Sequence, residues 1–339
     1  MNLSDAIHFS LKRVELELFS PGSVFSIYSL AASFSCAIFI LTLWRFRRRG
    51  RVNLRALLRA IFSRKLFKRE STFADINLFI LSVTLMPVIV GALVISSNSV
   101  ALSVHSALNQ LFGVYGTIDI SPLSKKIIST IILFLAYEIG YYVDHYLKHR
   151  FSILWELHKL HHTADVLTPL TNFRNHPIDN LVFGYMLAFF IGGASGFLDW
   201  MFAQKTVIFS VDGKNIIFIF FLWTIGHLQH SEFWIPFRGL WGYLILSPAH
   251  HQIHHSCDPQ HFNRNLGSVL AIWDWLFGTL EIPSECNPKL IFGAKQDGSN
   301  PHSLYGILVT PFINSVHALF DGLIRRLKNL FMMRAQGLR

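Results

Sequence analysis

Two uncharged stretches, residues 18–44 and 76–104, each exceed the roughly 20 residues that an apolar segment needs to cross a bilayer as a helix. Within hydrocarbon every backbone N–H and C=O must be satisfied by the segment itself, so such stretches fold as helices. Residues 180–198 form a third uncharged stretch, rich in glycine, and 127–143 a fourth, apolar apart from Glu138. Residues 215–229 are shorter and read either as a fifth span or as one arm of a buried hairpin. The chain is 52% hydrophobic and 15% charged, far from the ~25% charge of a soluble globular domain. The expected class is therefore an all-α integral membrane protein with four or five transmembrane helices, in place of a soluble bundle with long core helices.

The net charge of +10 is local, not global. Residues 45–69 hold eleven Lys or Arg and no acid, directly after the first span. Such a cluster marks a cytoplasmic loop and leaves the N-terminus outside. Arg51, Arg55 and Arg59 share one helical face, as on an interfacial helix lying against anionic headgroups. A cleavable signal peptide carries its positive charges before the apolar stretch, so the first span reads as an anchor. The cluster lacks nucleic-acid modules, and no nucleic-acid partner is expected. Cys36, Cys257 and Cys286 have neither disulfide nor metal spacing.

The chemistry lies in histidine. The string His-x-x-His-His occurs twice, as His158, His161, His162 and as His251, His254, His255, and 13 of 17 histidines fall between His145 and His261. Residues at i, i+3 and i+4 share a helix face, so each triplet is expected to converge on one small volume. Imidazole is the commonest neutral metal ligand. His145 and His149 lie one turn apart, ahead of a break that Ser152 could cap, and His227 and His230 end the stretch 215–229. The sum is ten imidazoles, too many for one ion, and two metals with four or five nitrogens each fit the count. Span parity brings all these groups to the side of the 45–72 loop, at a cytoplasmic surface, with 98–123 along the outer interface.

Around this set, His176 precedes Pro177 and reads as a helix start in the outer shell of the site. His250 and His261 break the triplet spacing and read as polar loop residues, and His8, His105, His302 and His317 as structural. Glu138 shares a helical stripe with His145 and His149. It is expected either to hydrogen-bond a ligand histidine or to pair with a Lys or Arg of another helix.

The order Glu138-x-x-x-Tyr142-x-x-His145-x-x-x-His149, then Trp155-x-x-His158-x-x-His161-His162, resembles the fatty acid hydroxylase/sterol desaturase superfamily of membrane di-iron enzymes. So do the strings HLQHS (227–231), SPAHHQIHHS (247–256) and WDWLFGT (273–279). The resemblance covers about 135–280. It implies that His145, His149, His158, His161, His162, His230, His251, His254 and His255 are metal ligands, with His227 the least sure of the ten. Glu138 stands where the family usually has Asp. No fused cytochrome b5 domain is recognisable, so a separate electron donor is expected: cytochrome b5, a ferredoxin or reductase-like protein, or a pterin.

The expected function is an O2-dependent di-iron hydroxylase acting on a membrane lipid: fatty acyl, ether lipid, aminolipid or sterol-like. The expected cofactors are two iron ions, with zinc as a possible artefact of purification and molecular oxygen as co-substrate. A desaturase using the same centre is the alternative. A zinc hydrolase fits less well because no H-E-x-x-H occurs. A haem or metal-transport protein fits less well because haem needs single histidines, not triplets, and a transporter places its ligands near the midplane. The expected organisation is a membrane anchor over 1–123, a histidine-box domain over 124–282 and a tail over 283–339 with an amphipathic surface helix, Val316 to Met333. The bacterial inner membrane or the endoplasmic reticulum is the expected location.

Overall fold

The computed structural model describes residues 3–47, 69–114, 118, 120–296 and 298–337. The basic cluster falls almost wholly outside the described residues. The described chain is helical apart from one two-stranded hairpin, as the all-α expectation required. The helices are α1 (Leu3–Phe19), α2 (Ile27–Arg47), α3 (Glu70–Thr84), α4 (Met86–Leu93), α5 (Ser97–Phe112), α6 (Pro122–Arg150), α7 (Ser152–His162) and α8 (Pro177–Phe202). After the hairpin of β1 (Ser210–Val211) and β2 (Lys214–Asn215) follow α9 (Ile216–Thr224), α10 (Leu240–Leu244) and α11 (Pro248–His254). Then come α12 (Ile272–Phe277), α13 (Leu304–Leu308) and α14 (Thr310–Gly337). Among the described residues five segments are long and apolar enough to cross a membrane: Ile27–Trp44, Met86–Phe112, Pro122–Arg150, Pro177–Phe202 and Leu304–Ile324.

Five falls within the expected four or five, but the set differs. The uncharged stretch 76–104 is not one helix. Pro87 lacks the N–H that would continue α3, so a new helix starts at Met86, and Ser96 caps α5 by accepting from the N–H of Ser99. Of residues 98–123, expected along the outer interface, 98–112 belong to α5, which packs on α8. The stretch 215–229 yields only the nine residues of α9, continued by a 3-10 turn over Gly226–His230. The fifth span comes from Leu304–Ile324, whose beginning precedes the expected tail helix.

The glycines of 180–198 explain the α5–α8 contact. A Cβ on Gly192 would stand 2.5 Å from the carbonyl oxygen of Ser97, and one on Gly196 2.3 Å from that of Ala101. Gly192-x-x-x-Gly196 thus lets two backbones touch, the usual way lipid-embedded helices gain contact. Gly193, between them, faces open space. Gly196→Ala is expected to destabilise the protein by about 1–3 kcal/mol through overpacking. Gly193→Ala should be neutral or stabilise by up to about 1 kcal/mol, from helix propensity alone. Thermal unfolding of both variants in one detergent checks this, and equal effects would refute the close contact.

Candidate metal centre

Five elements bring the histidines together: the last two turns of α6, all of α7, the 3-10 turn at Gly226–His230, α11, and the loop that follows α11. Helix α7 begins after Phe151, whose extended backbone breaks it from α6; Ser152 is its first residue and makes no capping bond. Helix α11 starts at a capping box in which Ser247 accepts from the His250 N–H and the His250 ring accepts from the Ser247 N–H.

Nine of the ten expected ligands fall into two groups. His145, His149, His158, His162 and His254 form one; His161, His230, His251 and His255 form the other. Within each group the ligand atoms lie within 4.8 Å of one another. Neither triplet converges on one volume, contrary to the helix-face expectation. His158 and His162 join the first group while His161 joins the second, and His251 and His255 join the second while His254 joins the first. Each triplet therefore spans both groups, and the groups touch: the rings of His162 and His255 are 4.7 Å apart. His227 is brought to neither group.

Hydrogen bonds set which ring nitrogen faces inward. The Nδ1 of His145 donates to the carbonyl of Leu266 (2.7 Å), that of His254 to the carbonyl of Arg264 (2.9 Å), and that of His158 to the carboxylate of Asp179 (3.2 Å). His149 Nδ1 meets the Asn263 side-chain oxygen at 3.3 Å. A neutral imidazole carries one N–H, so each Nε2 is left as a lone pair. Yet the Nε2 atoms of His145 and His158 stand 3.1 Å apart. In the second group the Nε2 of His230 lies 3.0 Å from that of His251, 3.1 Å from that of His255 and 3.3 Å from that of His161. Two nitrogens held at right angles, each about 2.1 Å from one cation, are about 3.0 Å apart. The buried Nε2 atoms of His149, His162 and His254 have no hydrogen-bond partner among the described residues. In the first group these crowded lone pairs call for a cation, and the donor set of either group fits one.

Burial pushes the imidazoles of His230 and His254 down to about 3, and those of His161, His162, His251 and His255 well below the ordinary histidine range. The rings are therefore neutral at pH 7, the form that binds metal.

The acceptors for these rings come largely from one loop. Asn263 and Asn265 both adopt left-handed backbone (φ 60° and 55°), a conformation asparagine tolerates better than most side chains. The loop is pinned from three sides. Asn265 donates to the carbonyls of His250 and Glu281, and Asp274, from the WDWLFGT string, accepts from the N–H groups of Leu266 and Gly267. Glu138 accepts from the N–H groups of Val269 and Leu270 (3.2 and 2.7 Å). Glu138 thus takes neither expected role; it anchors the loop that orients His145.

His176 caps α8, accepting from the Ile178 N–H and donating to the Leu308 carbonyl. The outer-shell group on the histidines is instead Asp179, which sequence reading passed over. It joins His158 to Lys148 (2.8 Å), and Lys148 also pairs with Asp144 (2.6 Å). His261 faces Glu281 at 3.5 Å, and His250 lies outside both groups. Because glutamine is the ordinary partner in a capping box, His250→Gln should leave metal content unchanged, whereas His250→Ala costs about 1 kcal/mol of stability. Metal analysis with thermal unfolding checks both, and metal loss in the glutamine variant would refute the assignment.

A cavity of about 730 Å³ opens on the histidines. Its lining includes His145, His158, His161, His230 and His251 together with Leu133, Phe134, Phe183, Leu187, Ile191 and Phe218. Apolar side chains beside a group of imidazoles suit an apolar ligand with its reacting carbons near the histidines.

The fatty acid hydroxylase family model matches residues 130–279. The alkylglycerol monooxygenase of Danio rerio is 26% identical over 160 residues, covering 47% of this chain and 31% of that protein. Its Homo sapiens counterpart is 27% identical over 168 residues (47% and 32%), and that of Caenorhabditis elegans 26% over 204 residues (56% and 36%). The match thus spans about a third of these relatives' own length. No solved structure matches the chain.

Proposed function

We propose that the chain, which the fatty acid hydroxylase family model matches over residues 130–279, is a member of the fatty acid hydroxylase/sterol desaturase superfamily and a di-iron monooxygenase that hydroxylates a membrane lipid, with an ether lipid as the favoured substrate. The observation that carries this reading is the pairing of two imidazole groups with a largely apolar cavity that they help to line. The ether-lipid preference rests on the names of the relatives.

His145, His149, His158, His162 and His254 would hold one iron, and His161, His230, His251 and His255 the other. Iron held there supplies the activation of O2 that no side chain can perform. The protein's own part is positional. The carbonyls of Leu266 and Arg264 keep His145 and His254 turned inward, and Asp179 does the same for His158. The apolar wall formed by Phe134, Phe183 and Phe218 excludes water and aligns the chain. The balance is one C–H bond, one O2, two electrons and two protons converted to one alcohol and one water, with the electrons arriving from a separate donor protein or pterin.

The histidine end is proposed to face the cytoplasm. The basic segment 45–69 ends at α3, whose Ser71 and Asp75 are bonded to Arg174 at that end. Labelling of a Ser256→Cys variant from the outer face alone would defeat this orientation.

The test of function is a purified protein supplied with ferrous iron, reductant, labelled O2 and an alkyl glycerol ether. Two irons per chain, no haem absorption and label recovered in the lipid product are expected. A protein that binds iron yet oxidises no lipid of any class would defeat the reading.

A further inference from the structure

His227 stands one 3-10 turn before His230, about 6 Å along the axis at 2.0 Å per residue, yet it belongs to neither metal group. It is instead held by α2. Its Nε2 lies 2.9 Å from the hydroxyl of Ser29, and the ring meets Phe25 edge-on, with centroids 6.0 Å apart.

The protons around Ser29 decide the tautomer. The Ser29 hydroxyl donates its single proton to the carbonyl of Ser26 (2.9 Å), and the Ser26 hydroxyl donates to Ser29 (3.0 Å). With that proton on the Ser26 carbonyl, Ser29 faces His227 as an acceptor and His227 Nε2 carries the ring proton. Burial, which pushes this imidazole down to about 4, keeps the ring neutral. Among the described residues the ring's one hydrogen bond is at Nε2, which leaves Nδ1 as a lone pair on a ring that forms part of the cavity wall. An acceptor on a cavity wall can take a hydrogen bond from a hydroxyl of a bound ligand.

We propose that His227 is a substrate-contacting residue, whose Nδ1 accepts a hydrogen bond from a hydroxyl at the polar end of the bound lipid. It is not a metal ligand, and Ser29 is the residue that positions it. The proposal rests on the reading of the cavity as a lipid site. It assigns the lipid's hydroxyl-bearing end to the histidine-lined part of the cavity, with the alkyl chain against Leu187, Ile191 and Phe218.

The test uses the full chain in detergent with two readouts that do not depend on turnover: metal per chain, and equilibrium binding of hexadecyl glycerol ether and of its di-O-methyl derivative, which lacks O–H donors. The unsubstituted protein should prefer the hydroxylated probe about tenfold, the worth of one hydrogen bond. His227→Leu should keep the full metal content and bind both probes equally. His227→Asn, which retains an acceptor near the Nδ1 position, should keep most of the preference. Ser29→Ala, which frees the ring proton to move between nitrogens, should weaken the preference without metal loss, and it serves if His227→Leu does not fold. Metal loss in His227→Leu like that in His230→Ala, an undiminished preference in His227→Leu, or no preference in the unsubstituted protein would each overturn the proposal. A protein that shows the preference yet oxidises no lipid would defeat the monooxygenase reading and leave this one standing.

Discussion

His161→Ala is expected to abolish lipid oxidation and to lower bound metal by about one ion per chain, the larger of the two site effects expected within the triplets. His161 belongs to the smaller group, which falls from four imidazoles to three, while the five of the other group stay in place. Loss of an outer partner of a ligand typically costs 10–100-fold in metal affinity or activity, so loss of the ligand itself should cost more than about 100-fold. His254→Ala makes the internal comparison. It also sits in a triplet, but its removal leaves four imidazoles in its group, and more metal should remain. Iron per chain, turnover and circular dichroism of both purified variants provide the test. Normal iron content and turnover in His161→Ala would show that the second group is not a metal site.

The contrast between those variants rests on a feature that helix phase alone does not encode. Spacing says that His158, His161 and His162 share a face, but not that the face divides between two groups built with α11. That division depends on where α11 and the Gly226–His230 turn dock, which is tertiary. The histidine positions themselves and four of the five span locations were legible, because both are patterns of residue type along the chain. The groups that orient the histidines were not. Two are backbone carbonyls, Leu266 and Arg264, to which residue identity is irrelevant. Asp179 looked like an ordinary acid in the first turn of a helix, and its partner His158 lies 21 residues away. Glu138 was singled out correctly as a buried charge in a span, but its partners are backbone N–H groups more than 130 positions distant. Hydropathy also merged α3, α4 and α5 into one stretch, because Pro87 and Ser96 change backbone geometry without adding charge.

Arg174→Met is expected to reduce stability by about 3–5 kcal/mol, the usual cost of leaving one half of a buried ion pair alone. Both Arg174 and Asp75 are fully buried, 2.7 Å apart. The guanidinium also donates to the carbonyls of Ser71, Leu160 and Pro301 and to the hydroxyl of Thr163, and it meets the His302 ring at 2.8 Å. It therefore ties α3, the C-terminal end of α7 and the segment leading to α13 into one body, and Leu160 adjoins His161, a proposed ligand. Burial pushes the Asp75 carboxyl up, and the guanidinium pulls it back down. Without Arg174, burial and the charge of Asp165 still raise it, and the Thr171 hydroxyl at 2.8 Å still lowers it. In the variant, folded Asp75 thus holds its proton to higher pH than the unfolded chain, whose carboxyl titrates near 3.9. Stability should then fall as pH rises from about 4 through the folded pKa, and the deficit should be greatest at neutral pH. Asp75→Asn in the Arg174→Met background removes the stranded charge and should restore about 1–3 kcal/mol. Unfolding of the single and double variants at pH 4.5 and 7.5, with metal content alongside, checks the whole argument. A loss below about 1 kcal/mol in Arg174→Met, or no recovery in the double variant, would mean that the buried pair does not hold α7 in place.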